Sequence, residues 1–118
     1  MKLIPRIALL VLLTSCAGGA YQAMAQDRSA QRGHDLFELW CAPCHKPLGE
    51  YVSSVPATTA MQRKYPDRPA ALEERTDLTP DYVRQIVRSG VFSMPFFRKT
   101  ELSDADVDAL GAYLATRH

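Results

Sequence analysis

The sequence predicts an all-α fold: three segments repeat apolar residues at steps of three and four, two of them open on strong helix-start signals, and none reads as a strand. At 118 residues it fits one folded domain, and no break in composition divides the part that follows the N-terminal segment.

That N-terminal segment carries Lys2 and Arg6 and then the run Ile7-Ala8-Leu9-Leu10-Val11-Leu12-Leu13, a basic stretch followed by an apolar one too short to span a bilayer. Ala23-Met24-Ala25 places small residues where a signal peptidase reads them, so residues 1–25 are expected to be a signal peptide and 26–118 the mature domain. The alternative is a lipoprotein signal: Leu13-Thr14-Ser15-Cys16 resembles a lipobox, in which Cys16 would carry lipid and tie the protein to a membrane. Either route exports the chain, and the periplasm is the expected location.

All thirteen acidic residues follow Ala25 while two of the fourteen basic ones precede it, leaving a mature balance of −1 that gives no support to nucleic-acid binding. The mature domain would keep two cysteines, Cys41 and Cys44, too few for a multi-bridge disulfide scaffold. A core of roughly 90 residues is small and gains from a supplement such as a large apolar cofactor.

The first helix is expected from about Ser29 to Trp40, with Ala30, Gly33, Phe37, Trp40 and Cys44 along one stripe. Gly33 on that stripe lets another backbone approach. The second opens at Thr79 as N-cap with Pro80 in its first position, carries Val83, Ile86 and Val87, and closes at Gly90. The third is announced by Ser103-Asp104-Ala105-Asp106 and presents Val107, Leu110, Gly111 and Leu114 on one face, with Tyr113 beside them. Residues 46–78 contain Pro47, Pro56, Pro66 and Pro69 and are expected to form a long irregular loop with a helical turn near Ala70–Arg75. Wrapping a cofactor is one reason for so long a loop.

Cys41-Ala42-Pro43-Cys44-His45 is a C-x-x-C-H motif, in which two thiols can form thioethers with haem vinyl groups while the adjacent imidazole reaches the iron. Trp40-Cys41-Ala42-Pro43-Cys44 also looks like a thioredoxin-type thiol oxidoreductase centre. That chemistry requires a strand before the motif, where this sequence has helical period. A structural zinc site lacks a second ligand pair.

Gly33 and Phe37, with Leu110 and Tyr113 in the last helix, resemble the interlocked terminal helices of class I c-type cytochromes. The resemblance covers essentially the whole chain after the signal and implies the class I cytochrome c fold, with three main helices and long loops around one covalent haem c. It implies a methionine as sixth iron ligand, and Met94, forty-nine residues beyond His45 in Phe92-Ser93-Met94-Pro95-Phe96, stands where the pattern expects it. Met61 is the fallback, and Met94 as a core filler is the plainer reading. His34, off the apolar stripe, and His118, at the terminus, are expected to face solvent. A metal-bound imidazole needs a partner on its other nitrogen. The family uses a proline carbonyl there, and Pro56 is the candidate although Val55 replaces the glycine that commonly precedes it; Pro47 is read as a loop residue.

Phe37, Trp40, Tyr82, Phe92, Phe96, Phe97 and Tyr113 are candidates to pack on the porphyrin, with about half expected to do so. Arg84, Arg88, Arg98 and Lys99 are assigned to no propionate.

With both axial positions filled, the iron has no free site for substrate, so the expectation is a one-electron carrier and no enzyme. Asp77-Leu78-Thr79-Pro80-Asp81-Tyr82-Val83, Ile86-Val87-Arg88 and Met94-Pro95-Phe96 further resemble small cytochrome subunits of periplasmic dehydrogenases such as the p-cresol methylhydroxylase type. That resemblance implies a flavoprotein or quinoprotein dehydrogenase as electron donor and a downstream oxidase or cytochrome as acceptor. A freely diffusing carrier without a dedicated enzyme is the competing version.

Overall fold

A computed structural model describes residues 5–49 and 55–116, with side chains described from residue 22 onward. His118 lies outside the described residues. Among the described residues the elements are five α-helices and one 3-10 turn: α1 (Pro5–Trp40), α2 (Ala42–His45), α3 (Pro56–Lys64), the turn Leu72–Glu74, α4 (Pro80–Ser89) and α5 (Asp104–Ala115). No strand occurs among the described residues, and the one isolated bridge joins Val91 to Met94.

α1 contains the predicted Ser29–Trp40 helix but starts much earlier, because the Ala- and Leu-rich residues before it favour helix and no proline interrupts them between Pro5 and Pro43. Pro43 explains why it stops. A proline there has no N–H for the Leu39 carbonyl and would clash with it, so the helix ends at Trp40 and restarts as α2 with Pro43 in its first turn. Cys41 is the hinge: its N–H closes α1 on Phe37 O at 2.8 Å, while its carbonyl accepts from His45 N at 2.9 Å.

α1 crosses α5 through the residues expected to interlock. A Cβ on Gly33 would lie 2.1 Å from Ala109 O and 2.6 Å from Tyr113 Cβ, so the two helices touch there backbone to backbone. Phe37, fully buried, packs on the Tyr113 ring at a centroid distance of 5.8 Å. Burial of that ring contributes about 2–3 kcal/mol. Arg32 Nε donates to Asp106 Oδ1 at 2.8 Å across the same crossing. Leu102, Val107, Leu110 and Leu114 join Val83 and Val87 of α4 to complete the core.

The two later helices begin and end where their punctuation predicts. Thr79 Oγ1 accepts from Tyr82 N at 3.2 Å, and Gly90 closes α4 with φ +68°. At α5, Ser103 Oγ accepts from Asp106 N at 3.2 Å while Asp106 Oδ2 accepts from Ser103 N at 3.0 Å, a complete capping box. The Ser103 hydroxyl and then Arg32 hold the Asp106 carboxyl below its ordinary pKa. Ser103→Ala is expected to lower stability by about 1 kcal/mol, seen as a reduced urea midpoint at constant slope. An unchanged midpoint would show that the cap contributes nothing to α5.

The long loop is where prediction and structure part. The turn near residues 70–75 is present, but Pro56–Lys64 is a nine-residue helix that was not foreseen. Its local signals are Pro56 in the first helical position and Arg63 and Lys64 in the last turn. Tertiary contacts fix it: Thr58, 3% exposed, donates from Oγ1 to Lys46 O at 2.9 Å, tying α3 to the end of α2.

Candidate functional site

α2, α3, α4, α5 and the loop after α4 surround a cavity of about 370 Å³. That lies within the range of cofactor pockets. Its apolar wall comes from Leu78, Val83, Ile86 and Val87 on one side and Leu110 and Leu114 of α5 on another.

Cys41, the hinge that caps α2, and His45 at the end of α2 both reach the cavity, since the single turn between them brings residue i+4 onto the face of residue i. Cys44 is exposed. Met94 arrives from the other half of the chain. A tight turn through Phe92 and Ser93 holds it, with Val91 N donating to Met94 O at 3.1 Å and Met94 N to Val91 O at 2.9 Å. Phe92 has φ +51° in that turn, an uncommon conformation for a bulky residue, and its ring is exposed beneath Lys64 Nζ at 4.3 Å. The far end of the loop is pinned by Phe97 N donating to Val87 O at 2.8 Å and Arg88 Nη1 to Phe97 O at 3.0 Å. Met61 of α3 lines the same cavity, so the structure brings both methionine candidates to it.

Burial sets the protonation of the motif. It pushes the Cys41 thiol up to about 11, with Cys44 adding to the shift, and it lowers the His45 imidazole, favouring the neutral form that can donate a lone pair to a metal. A thiol raised in this way is the reverse of the depressed thiol that disulfide exchange needs. His45 Nδ1 is buried and has no hydrogen-bond partner among the described residues. The structure therefore does not seat the Pro56 carbonyl on that nitrogen. Pro56 instead opens α3, whose first carbonyls serve the helix itself.

Of the seven aromatic candidates, Tyr82 and Phe92 line the cavity, and Tyr65, which the sequence reading missed, joins them. Phe37 and Tyr113 belong to the core, while Trp40 and Phe97 meet edge to face at 5.8 Å. His34 keeps 43% of its side chain exposed while its ring meets Tyr113 at 5.4 Å, and it is not part of the cavity. Arg84, Arg88, Arg98 and Lys99 all lie outside the cavity, paired with Asp108, Asp104, Glu101 and Asp104 respectively. The cations that do line it, Lys64, Arg68 and Arg75, sit in the segment read as an irregular loop.

Interlocked terminal helices with no strand among the described residues, and a C-x-x-C-H turn facing an apolar cavity, define a c-type cytochrome domain built to hold haem c. Residues 28–114 match the family described as cytochrome c oxidase, cbb3-type, subunit III, and the chain belongs to that family. It has the all-α cytochrome c fold and is a haem-based electron carrier that works with redox partner proteins. Comparison with curated proteins and with solved structures returned no match.

Proposed function

We propose that the chain is a periplasmic one-electron carrier with a single haem c, attached through Cys41 and Cys44 and ligated by His45 and Met94. One observation carries this reading: His45 and Met94, forty-nine residues apart in sequence, face the same apolar cavity together with Cys41. When bound, the haem supplies one-electron exchange between ferric and ferrous iron. The chain's own part is to hold it. His45 offers a neutral imidazole, Met94 a soft thioether on a loop fixed at both ends, and the aliphatic wall excludes water.

With both axial positions taken by protein, the reading leaves no coordination site for a substrate, and the carrier works without catalysing a reaction of its own. Residues 1–25 act as the export signal in this reading, and the family match begins at residue 28, just inside the mature domain. The donor is a periplasmic flavoprotein or quinoprotein dehydrogenase. The family's description, a subunit of a cytochrome c oxidase, favours an acceptor in the respiratory chain. Co-purification of a stoichiometric dehydrogenase complex supports that donor; equal reduction of a monomer by unrelated donors sinks it.

The ligand set is tested by visible spectra of the protein produced with haem-maturation machinery, before and after dithionite. A sharp reduced α-band and a weak far-red oxidised band are expected. Met94→Ala should abolish the far-red band and lower the ferrous-to-ferric ratio at a fixed electrode potential roughly a hundredfold, or about 120 mV at 59 mV per decade. Met61→Ala should keep the band. The opposite pair of results would transfer the ligand role to Met61.

A further inference from the structure

Of Arg84, Arg88, Arg98 and Lys99, Arg88 is the one withdrawn from water: its side chain is 21% exposed, against 43%, 70% and 73% for the others. Its Nε is buried with no hydrogen-bond partner among the described residues. An unsatisfied buried donor costs stability, so the guanidinium is held there by its other two nitrogens. Nη2 donates to Asp104 Oδ1 at 2.9 Å and Nη1 to Phe97 O at 3.0 Å. The first contact joins the last turn of α4 to the first turn of α5, and each charge suits the helix end it occupies. That pair is a tie between helices. The contact with Phe97 O reaches the loop that carries Met94.

Two consecutive residues of α4 grip Phe97. Its N–H donates to Val87 O at 2.8 Å, a carbonyl that the end of the helix leaves unpaired, while its own carbonyl accepts from Arg88. Its ring also meets Trp40, the residue before Cys41, edge to face at 5.8 Å. Only Pro95 and Phe96 separate Phe97 from Met94. Pro95 fixes its own φ and confines Met94 to extended backbone, so the link has little slack. Where Phe97 is held, Met94 is held.

Resting on the reading that Met94 ligates the haem iron, we propose that Arg88 is a positioning residue for that ligand: it fixes Phe97 and, through Pro95, the Met94 thioether, while Asp104 fixes Arg88. The effect is to keep the sixth position closed to outside donors. A loop that swings away for part of the time offers the iron to any small ligand in proportion to that time.

Imidazole titration of the ferric holoprotein, followed at the far-red band, tests this. A neutral nitrogen donor replaces a neutral thioether on ferric iron, so no electron or proton is transferred. Arg88→Met keeps the aliphatic stem and removes every donor. Its imidazole Kd should fall about tenfold, because the fraction of molecules with Met94 off the iron rises by that factor. Arg88→Lys keeps a charge but lacks the planar fork that serves Phe97 O and Asp104 together, so its Kd should fall only about threefold. Arg84→Gln breaks a different pair between α4 and α5, with Asp108, and should keep the parent's Kd. An Arg88→Met protein with attached haem and the parent's Kd overturns the proposal. An equal fall in Arg84→Gln also overturns it, since any tie between the two helices would then serve. Should Arg88→Met fail to fold, Arg88→Lys carries the test, and an unchanged Kd there overturns the proposal. Failure of the underlying reading looks different: Met94→Ala would then keep the far-red band and the parent's imidazole Kd, and the proposal falls with it.

Discussion

Gly33→Ala is expected to destabilise the protein by about 2 kcal/mol or more, against a helix propensity that favours alanine by about 1 kcal/mol. The sign is decided by what the new methyl group meets. It would lie 2.1 Å from Ala109 O, 2.6 Å from Tyr113 Cβ and 2.8 Å from Ala109 C. Two of those three atoms are backbone and the third is the first atom of a side chain, so no flexible tip can swing away and α1 must separate from α5. Close-packed interiors do not absorb such a shift locally. The separation would loosen Phe37 from Tyr113 and the Arg32–Asp106 pair. It also reaches the site, because α1 delivers Cys41 to the cavity and α5 supplies Leu110 and Leu114 to its wall. A urea melt is sufficient to check it. A higher midpoint than the parent would mean that propensity prevails and that the helices are not in backbone contact.

The same crossing shows what kind of information the sequence carries. Gly33, Phe37 and Tyr113 were legible because their spacing puts them on helical stripes, and a glycine on an apolar stripe reads as a close approach. α4 and α5 were legible down to their ends because Thr79-Pro80, Gly90 and the Ser103–Asp106 box are local signals that depend on nothing distant. α3 was not. Pro56-Ala57-Thr58-Thr59-Ala60 has two β-branched residues, its cavity-facing stripe is only Ala57, Ala60 and Met61, and it is tied down by the Thr58 bond to Lys46 O, a contact between elements. The cavity cations were missed for the same reason. Arg84, Arg88, Arg98 and Lys99, assigned to no propionate in the sequence, are taken up by the acidic residues of α5 and by Glu101, while Arg68 and Arg75 become neighbours of the motif only when the long segment folds back. The motif and Met94 could each be picked out singly, as candidates. That Cys41, His45 and Met94 share one cavity is a property of the fold alone.

Gly90→Ala is expected to displace Met94 while leaving haem attachment at α2 intact. Gly90 has φ +68° and ψ 170°, a region reached almost only by glycine, and forcing another residue there costs about 1–3 kcal/mol. An added Cβ would also lie 2.8 Å from Met94 O, 3.0 Å from Phe96 N and 3.2 Å from Pro95 C. All three are backbone atoms of the loop that carries the proposed ligand. The loop's far end is anchored at Phe97 by Val87 O and Arg88, so it cannot translate as a unit and must buckle between its two fixed ends. Cys41, Cys44 and His45 belong to a different element and make no contact with Gly90 in its close surroundings. Two readouts should therefore separate: the covalently attached haem persists in a denaturing gel, whereas the far-red band weakens or vanishes and the potential falls toward that of Met94→Ala. Stability should drop by about 2 kcal/mol or more, as both strain and overpacking act in the same direction. A Gly90→Ala protein with a full far-red band would mean that the ligand does not come from this loop, and Met61 on α3 would be the residue to test next.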